Sequence, residues 1–186
     1  MQVREEQASE AAKAIAAHLF EHGLAKTSLR QLAAAAGVSD RMLVYYFGSK
    51  AEALRAGALH LAQSFAMELS TADRIPEKAS FEELLPVLGG LFSDETVAPF
   101  MRLWIDVISA AGHGVEPYPD IVKAISSFFV SWIEARLSTA DPEQRADEAA
   151  ALMVIIDGIA LLSEAADEGV SERAAGFLIK RLSGPM

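Results

Sequence analysis

Apolar side chains in this chain recur at three- and four-residue spacing almost from end to end, and no stretch alternates strictly between apolar and polar residues. That spacing lays side chains along one stripe of a helix, whereas a half-buried strand needs a period of two. Good helix formers, Ala, Leu, Glu and Arg, dominate. The chain is therefore expected to be all-α. Its 186 residues correspond to about one domain, or one with a small appendage. With 52% apolar residues it can build a core.

Segment 4–22 carries Ala8, Ala11, Ala12, Ile15, Ala16, Leu19 and Phe20 on one stripe, and Gly23 stops it. Thr27 or Ser28 caps a short helix with Leu29, Leu32 and Ala33 inward, and Ser28 and Gln31 have capping-box spacing. Ser39 or Asp40 starts another short helix that ends near Phe47-Gly48. A second capping box, Ser49 to Glu52, opens a long helix with Leu54, Ala58, Leu61, Phe65 and Leu69 on its stripe. Residues 71–80 read as a hinge loop. Helices are then expected over 81–91, over 95–110 with Asp94 as cap, over 120–137, from Pro142 to about Ala166, and over 171–182. Internal repeats and low-complexity segments are absent.

Several function classes drop out early. The chain has no cysteine, which removes disulfides, thiolate nucleophiles and Cys-based metal sites. The first residues, Met1 to Glu6, lack the apolar run of a signal peptide. The longest apolar run, Ala149–Ile156, has 8 residues and cannot span a bilayer. A soluble cytoplasmic protein without a membrane partner is expected. The net charge of −10 would argue against a nucleic-acid partner, but it is unevenly spread. Residues 1–60 carry 7 basic and 6 acidic side chains, against 9 and 20 in residues 61–186. The near-neutral N-terminal third can still gather its cations on one face.

Two short helices meeting at Gly37 make a helix-turn-helix, since glycine takes up a left-handed backbone at little cost. Val38, Leu43 and Phe47 are placed to pack inward. The exposed face of the second helix then shows Ser39, Asp40, Arg41, Met42, Val44 and Tyr45. In such a motif this helix enters the major groove, and the Arg41 fork suits guanine O6 and N7. Thr27, Tyr46 and Lys50 lie at helix ends, where phosphates are commonly held.

Three stretches, 14–23, 27–33 and 36–50, resemble in order and spacing the first helices of the TetR family of transcriptional regulators. They include Ala14-Ile15-Ala16-Ala17-His18-Leu19-Phe20, Thr27-Ser28-Leu29-Arg30-Gln31-Leu32-Ala33 and Leu43-Val44-Tyr45-Tyr46-Phe47-Gly48-Ser49-Lys50. The resemblance covers roughly residues 8–55. It implies a homodimeric repressor of operator DNA with an N-terminal three-helix DNA-binding part, residues 1–48. Residues 49–186 would be a helical bundle that dimerises and binds a small-molecule effector, with no cofactor. It also implies phosphate contacts at Thr27, Ser28 and Lys50 and a recognition helix over 39–46. Val44 departs from the aromatic residue usual in the family, Tyr46 from a frequent His, and Asp40 puts a carboxylate near DNA.

Other patterns compete for a role. His18, Glu21 and His22 match H-x-x-E-H, a zinc-peptidase helix, but no third ligand is evident, so no metal is expected. Asp157 interrupts an apolar stretch, which places it either at an effector or at a helix interface. Met67, Phe100, Met101, Trp104, Phe128 and Trp132 are the further candidates for effector contact, with plain core packing as the alternative. Apolar residues on 120–137 and 141–166, among them Ile121, Ile125, Phe129, Ile156, Ile159 and Leu162, exceed what one subunit can cover, which predicts a four-helix dimer interface. No nucleophile–base pair or phosphate loop stands out, so no catalytic residue is assigned. A small helical enzyme and a protein-binding adaptor are the rival classes, and salt-dependent binding to its own upstream DNA separates them from a regulator.

Overall fold

Caps and apolar stripes cut the chain into α1 (Gln2–His22), α2 (Leu29–Ala35), α3 (Asp40–Phe47), α4 (Lys50–Thr71), α5 (Phe81–Leu91), α6 (Ala98–Gly112), α7 (Tyr118–Glu134), α8 (Pro142–Ala165) and α9 (Glu168–Leu182). The computed structural model describes residues 2–24, 27–71, 75–91, 97–165 and 168–182. Among these residues the all-α expectation holds, and extended pairing is confined to one parallel bridge between Ala79 and Leu137. The expected cap at Asp94 lies outside the described residues. No described helix is long and apolar enough to cross a membrane.

The chain divides into two compact units, residues 1–67 with 103–125 and residues 68–102 with 126–186. In the first, α1, α2 and α3 pack on one another. Ile15, Leu19, Leu32, Leu43 and Leu54 are almost completely buried there. Burying each contributes about 1.5–3 kcal/mol, which holds together helices too short to persist alone. A Cβ at Gly57 would lie 2.3 Å from Ile15 Cγ2, so glycine lets α4 approach α1 at this point. The buried stripe of α4 runs through Ala53, Leu54, Ala58, Ala62, Ala66 and Leu69, with Leu61 and Phe65 only half-buried. Leu54, Ala58 and Leu69 of the expected stripe are buried, whereas Ala53, Ala62 and Ala66, not Leu61 and Phe65, fill the remaining buried positions.

In the second unit α5 packs on α8 and α9, and α8 on α9. Leu84, Leu85, Leu88 and Leu91 are buried on α5. Pro86 lies within α5 on an exposed position. Its ring removes one backbone donor, and the packed leucines carry the helix past it. The expected helix over 120–137 begins earlier, at Tyr118, and ends earlier, at Glu134. Residues beyond it serve the bridge instead. Ala79 N donates to Arg136 O (2.9 Å), Ser138 N donates to Ala79 O (2.8 Å) and Lys78 Nζ donates to Leu137 O (3.2 Å). Around Phe129, the rings of Phe128, Phe100 and Trp132 sit edge-on at 5.3, 6.2 and 6.3 Å.

Candidate nucleic-acid interface

α2 is capped by Ser28, not Thr27. Gln31 N donates to Ser28 Oγ at 3.3 Å, and Ser28 N donates to Gln31 Oε1 at 3.1 Å, completing the capping box. The chain then turns through Gly37, whose φ of +67 suits glycine. Gly37 N donates to Ala34 O and Val38 N to Ala33 O. Ser39 caps α3, accepting from Met42 N at 3.2 Å. Each such cap is worth about 0.5–2 kcal/mol, a large share for helices of two turns.

Leu43 is fully buried and anchors α3 to the three-helix core, with Phe47 half-buried one turn on. Helical periodicity then turns the other faces outward. Ser39, Asp40, Arg41, Met42, Val44 and Tyr45 are all exposed, Tyr45 most among the apolar ones at 56%. Lys50 is exposed at the first position of α4, and Arg30 is exposed on α2. The result is a rigidly seated eight-residue helix with an arginine fork, aromatic edge and aliphatic surface free to meet base edges.

Two of the candidates for phosphate contact are placed differently. Thr27 is buried, and its hydroxyl donates to Leu24 O at 2.9 Å. Tyr46 is half-buried, and its hydroxyl donates to Gln7 Oε1 at 3.1 Å. Ser28 remains exposed. Sequence reasoning also missed Arg4, whose Nη2 donates to Tyr45 O at 3.1 Å. Its partner is 41 residues away, so no local pattern marks it.

The effector candidates divide between the two units. Met67 stands 69% exposed on α4, about 100° around the helix from the buried Ala66. Trp104 is buried and belongs to the first unit, as does Met67. Phe100, Met101, Phe128, Trp132 and Asp157 belong to the second. Phe100 and Met101 are buried there, while Phe128, Trp132 and Asp157 are half-buried. The Arg136 guanidinium lies 3.7 Å from the Trp132 ring centroid and donates to Trp132 O and Ser70 Oγ. Burial holds its pKa below the ordinary arginine value. An open cleft of about 410 Å³ in the second unit is lined by Lys78, Ser131, Glu134, Ala135 and Arg145, none of them an effector candidate. His18 and His22 do meet, rings 4.7 Å apart, but no group of three or more potential ligands forms a metal site among the described residues.

A capped helix-turn-helix at the head of an all-α chain is the arrangement of a DNA-binding domain. Residues 13–56 match the family model for bacterial regulatory proteins of the tetR family. The regulator BetI of Burkholderia mallei is 28% identical over 158 residues, 83% of this chain and 80% of the relative. BetI of Burkholderia pseudomallei matches equally. A solved TetR-family regulator from Rhodococcus sp. superposes with a TM-score of 0.65 over 96% of this chain and all of that one, at 18% identity. One from Mesorhizobium loti gives 0.53 over 96% and 97%, also at 18%. Residues 13–56 thus form a DNA-binding region of the TetR type, in a chain that resembles TetR-family transcriptional regulators over most of its length.

Proposed function

We propose that this chain is a repressor that binds a palindromic operator as a homodimer and is released by a small-molecule effector. In this reading residues 1–48 bind double-stranded operator DNA, and residues 49–186 dimerise and take up the effector. The protein works in the cytoplasm without cofactor, membrane partner or catalytic activity. The outer face of α3 carries the reading: Arg41, Met42, Val44 and Tyr45 are exposed on a helix whose inner side is locked by Leu43.

Dimerisation is supported by surface the monomer leaves open, on one of the two helices the sequence favoured, α8, and on α9. On α7, Ile121, Ile125 and Phe129 are buried within the chain. The exposed large side chains lie on α8, as expected, and on α9: Val154 (72%), Leu161 (48%), Leu162, Val170 and Phe177 (61%). Val154 and Leu161 are seven apart on α8, as are Val170 and Phe177 on α9, so each pair shares a helix face. Two copies joined there form a four-helix interface. Release works through α4, which is separated from α3 by only two residues, so an effector that favours one tilt of α4 moves the recognition helix. The effector must bind the released state more tightly, and DNA must weaken it by the same factor.

The test is fluorescence anisotropy on duplexes of the DNA upstream of its own coding sequence, across a salt series. Arg41→Ala is expected to lose about 1–3 kcal/mol and relax preference at one base position. Lys50→Ala is expected to weaken all sequences alike and lower the salt slope by about one. Wild-type affinity and slope in both variants would remove α3 from its role.

A further inference from the structure

The start of α1 reaches across to the end of α3. Arg4 Nη2 donates to Tyr45 O at 3.1 Å, and the same guanidinium lies over the Tyr45 ring, 5.0 Å from its centroid. One turn further along α1, Gln7 Oε1 accepts from the Tyr46 hydroxyl at 3.1 Å. Arg4 and Gln7 are three residues apart and so share a face of α1. Their two partners are consecutive residues in the last turn of α3.

Position explains why these contacts matter. The last four carbonyls of a helix lack partners within it. In α3, Gly48 N takes the Val44 carbonyl at 2.7 Å, and Arg4 takes that of Tyr45. A cation at this end also meets the negative pole of the helix dipole. Ser39 holds the first turn of α3 and Leu43 its middle. The last turn, which carries the most exposed aromatic side chain of the helix, is held from α1.

We propose that Arg4 and Gln7 are positioning residues for operator recognition, setting the pose of the last turn of α3 and of the Tyr45 ring. The inference rests on the reading of α3 as the recognition helix. Arg4 acts through Tyr45 and not on phosphate. Its loss therefore lowers the preference for the correct sequence and leaves the electrostatic, sequence-independent part of binding unchanged.

The experiment compares the full chain with Arg4→Ala/Gln7→Ala by anisotropy, on the upstream duplex and on a scrambled duplex of equal length, at several salt concentrations. Arg41→Ala runs alongside, and circular dichroism confirms helix content. The double variant is expected to lose about three- to tenfold in affinity for the upstream duplex, the scale of one exposed cation–π contact and its hydrogen bonds. Affinity for the scrambled duplex and the salt slope stay as in the wild type. A slope lowered by about one would make Arg4 a phosphate ligand and overturn the proposal. Unchanged preference in the double variant, with Arg41→Ala still impaired, would overturn the positioning role alone. No preference in the wild type and no effect of Arg41→Ala would overturn the reading of α3 and this proposal with it. If the double variant fails to fold, Arg4→Lys decides on the same two readouts, since it keeps a donor for the Tyr45 carbonyl and removes the guanidinium from the ring.

Discussion

α3 and the pair α8–α9 both carry large side chains into solvent, in different company. On α3 the exposed residues are mixed, with Asp40 and Arg41 beside Met42, Val44 and Tyr45, and serine caps and α1 hold the helix. On α8 and α9 Val154, Leu161, Leu162, Val170 and Phe177 stand exposed. A mixed surface is stable in water and suits a polar, hydrated partner such as a DNA groove. A set of aliphatic and aromatic side chains on two long helices costs free energy until something apolar covers it. The two regions thus differ in what their exposure means: in the proposed reading one surface is complete in the monomer and the other is completed by a second copy.

The sharpest way to break that comparison is to charge the second surface. Val154→Asp with Phe177→Asp is expected to turn the dimer into a monomer in sedimentation velocity at micromolar concentration. Each site forfeits about 1.5–3 kcal/mol of apolar burial and adds a carboxylate that an interface cannot solvate. Helix content should persist, because both side chains are exposed in the single chain. A variant that sediments as the wild type would leave the α8–α9 face without a role.

Leu43→Ala attacks the other region at its anchor. The side chain is fully buried, so the loss is about 2–5 kcal/mol by urea denaturation followed by circular dichroism. DNA affinity should fall with it, while the dimer mass in sedimentation stays unchanged. Loss of the dimer as well would mean that the two regions are not separable. A milder change sharpens the same contrast. Ser39→Ala removes the cap of α3 and is expected to cost about 0.5–2 kcal/mol, with a matching loss on DNA. An effect within error would show that Leu43 and α1 hold α3 without its cap.

Much of the N-terminal third was legible because its signals are short-range. Ser28 with Gln31 and the Gly37 turn each act over three residues or fewer, and the structure realises them, while it selects Ser39 over Asp40 as the cap of α3. The choice between Thr27 and Ser28 as cap was not legible. It depends on Thr27 being folded inward to meet Leu24, a matter of packing. Among the effector candidates, large apolar type alone gave no sense of direction. Met67 and Ala66 are neighbours in sequence, yet one is 69% exposed and the other 2%. Large residues alone do not mark the packed side of a helix, since α4 packs through alanines and Gly57 as well as Leu54 and Leu69.

By itself, then, the order of residues determined the helical class, the helix-turn-helix and the face α3 turns outward, because caps, glycine turns and the 3.6-residue period act within one or two turns. Only the tertiary structure decided which helices leave apolar surface open and which residues hold α3 from a distance. Whether Phe129 or Phe177 is buried depends on which helices have already covered it. That Arg4 meets Tyr45 depends on how α1 and α3 pack against each other, across 41 residues of chain.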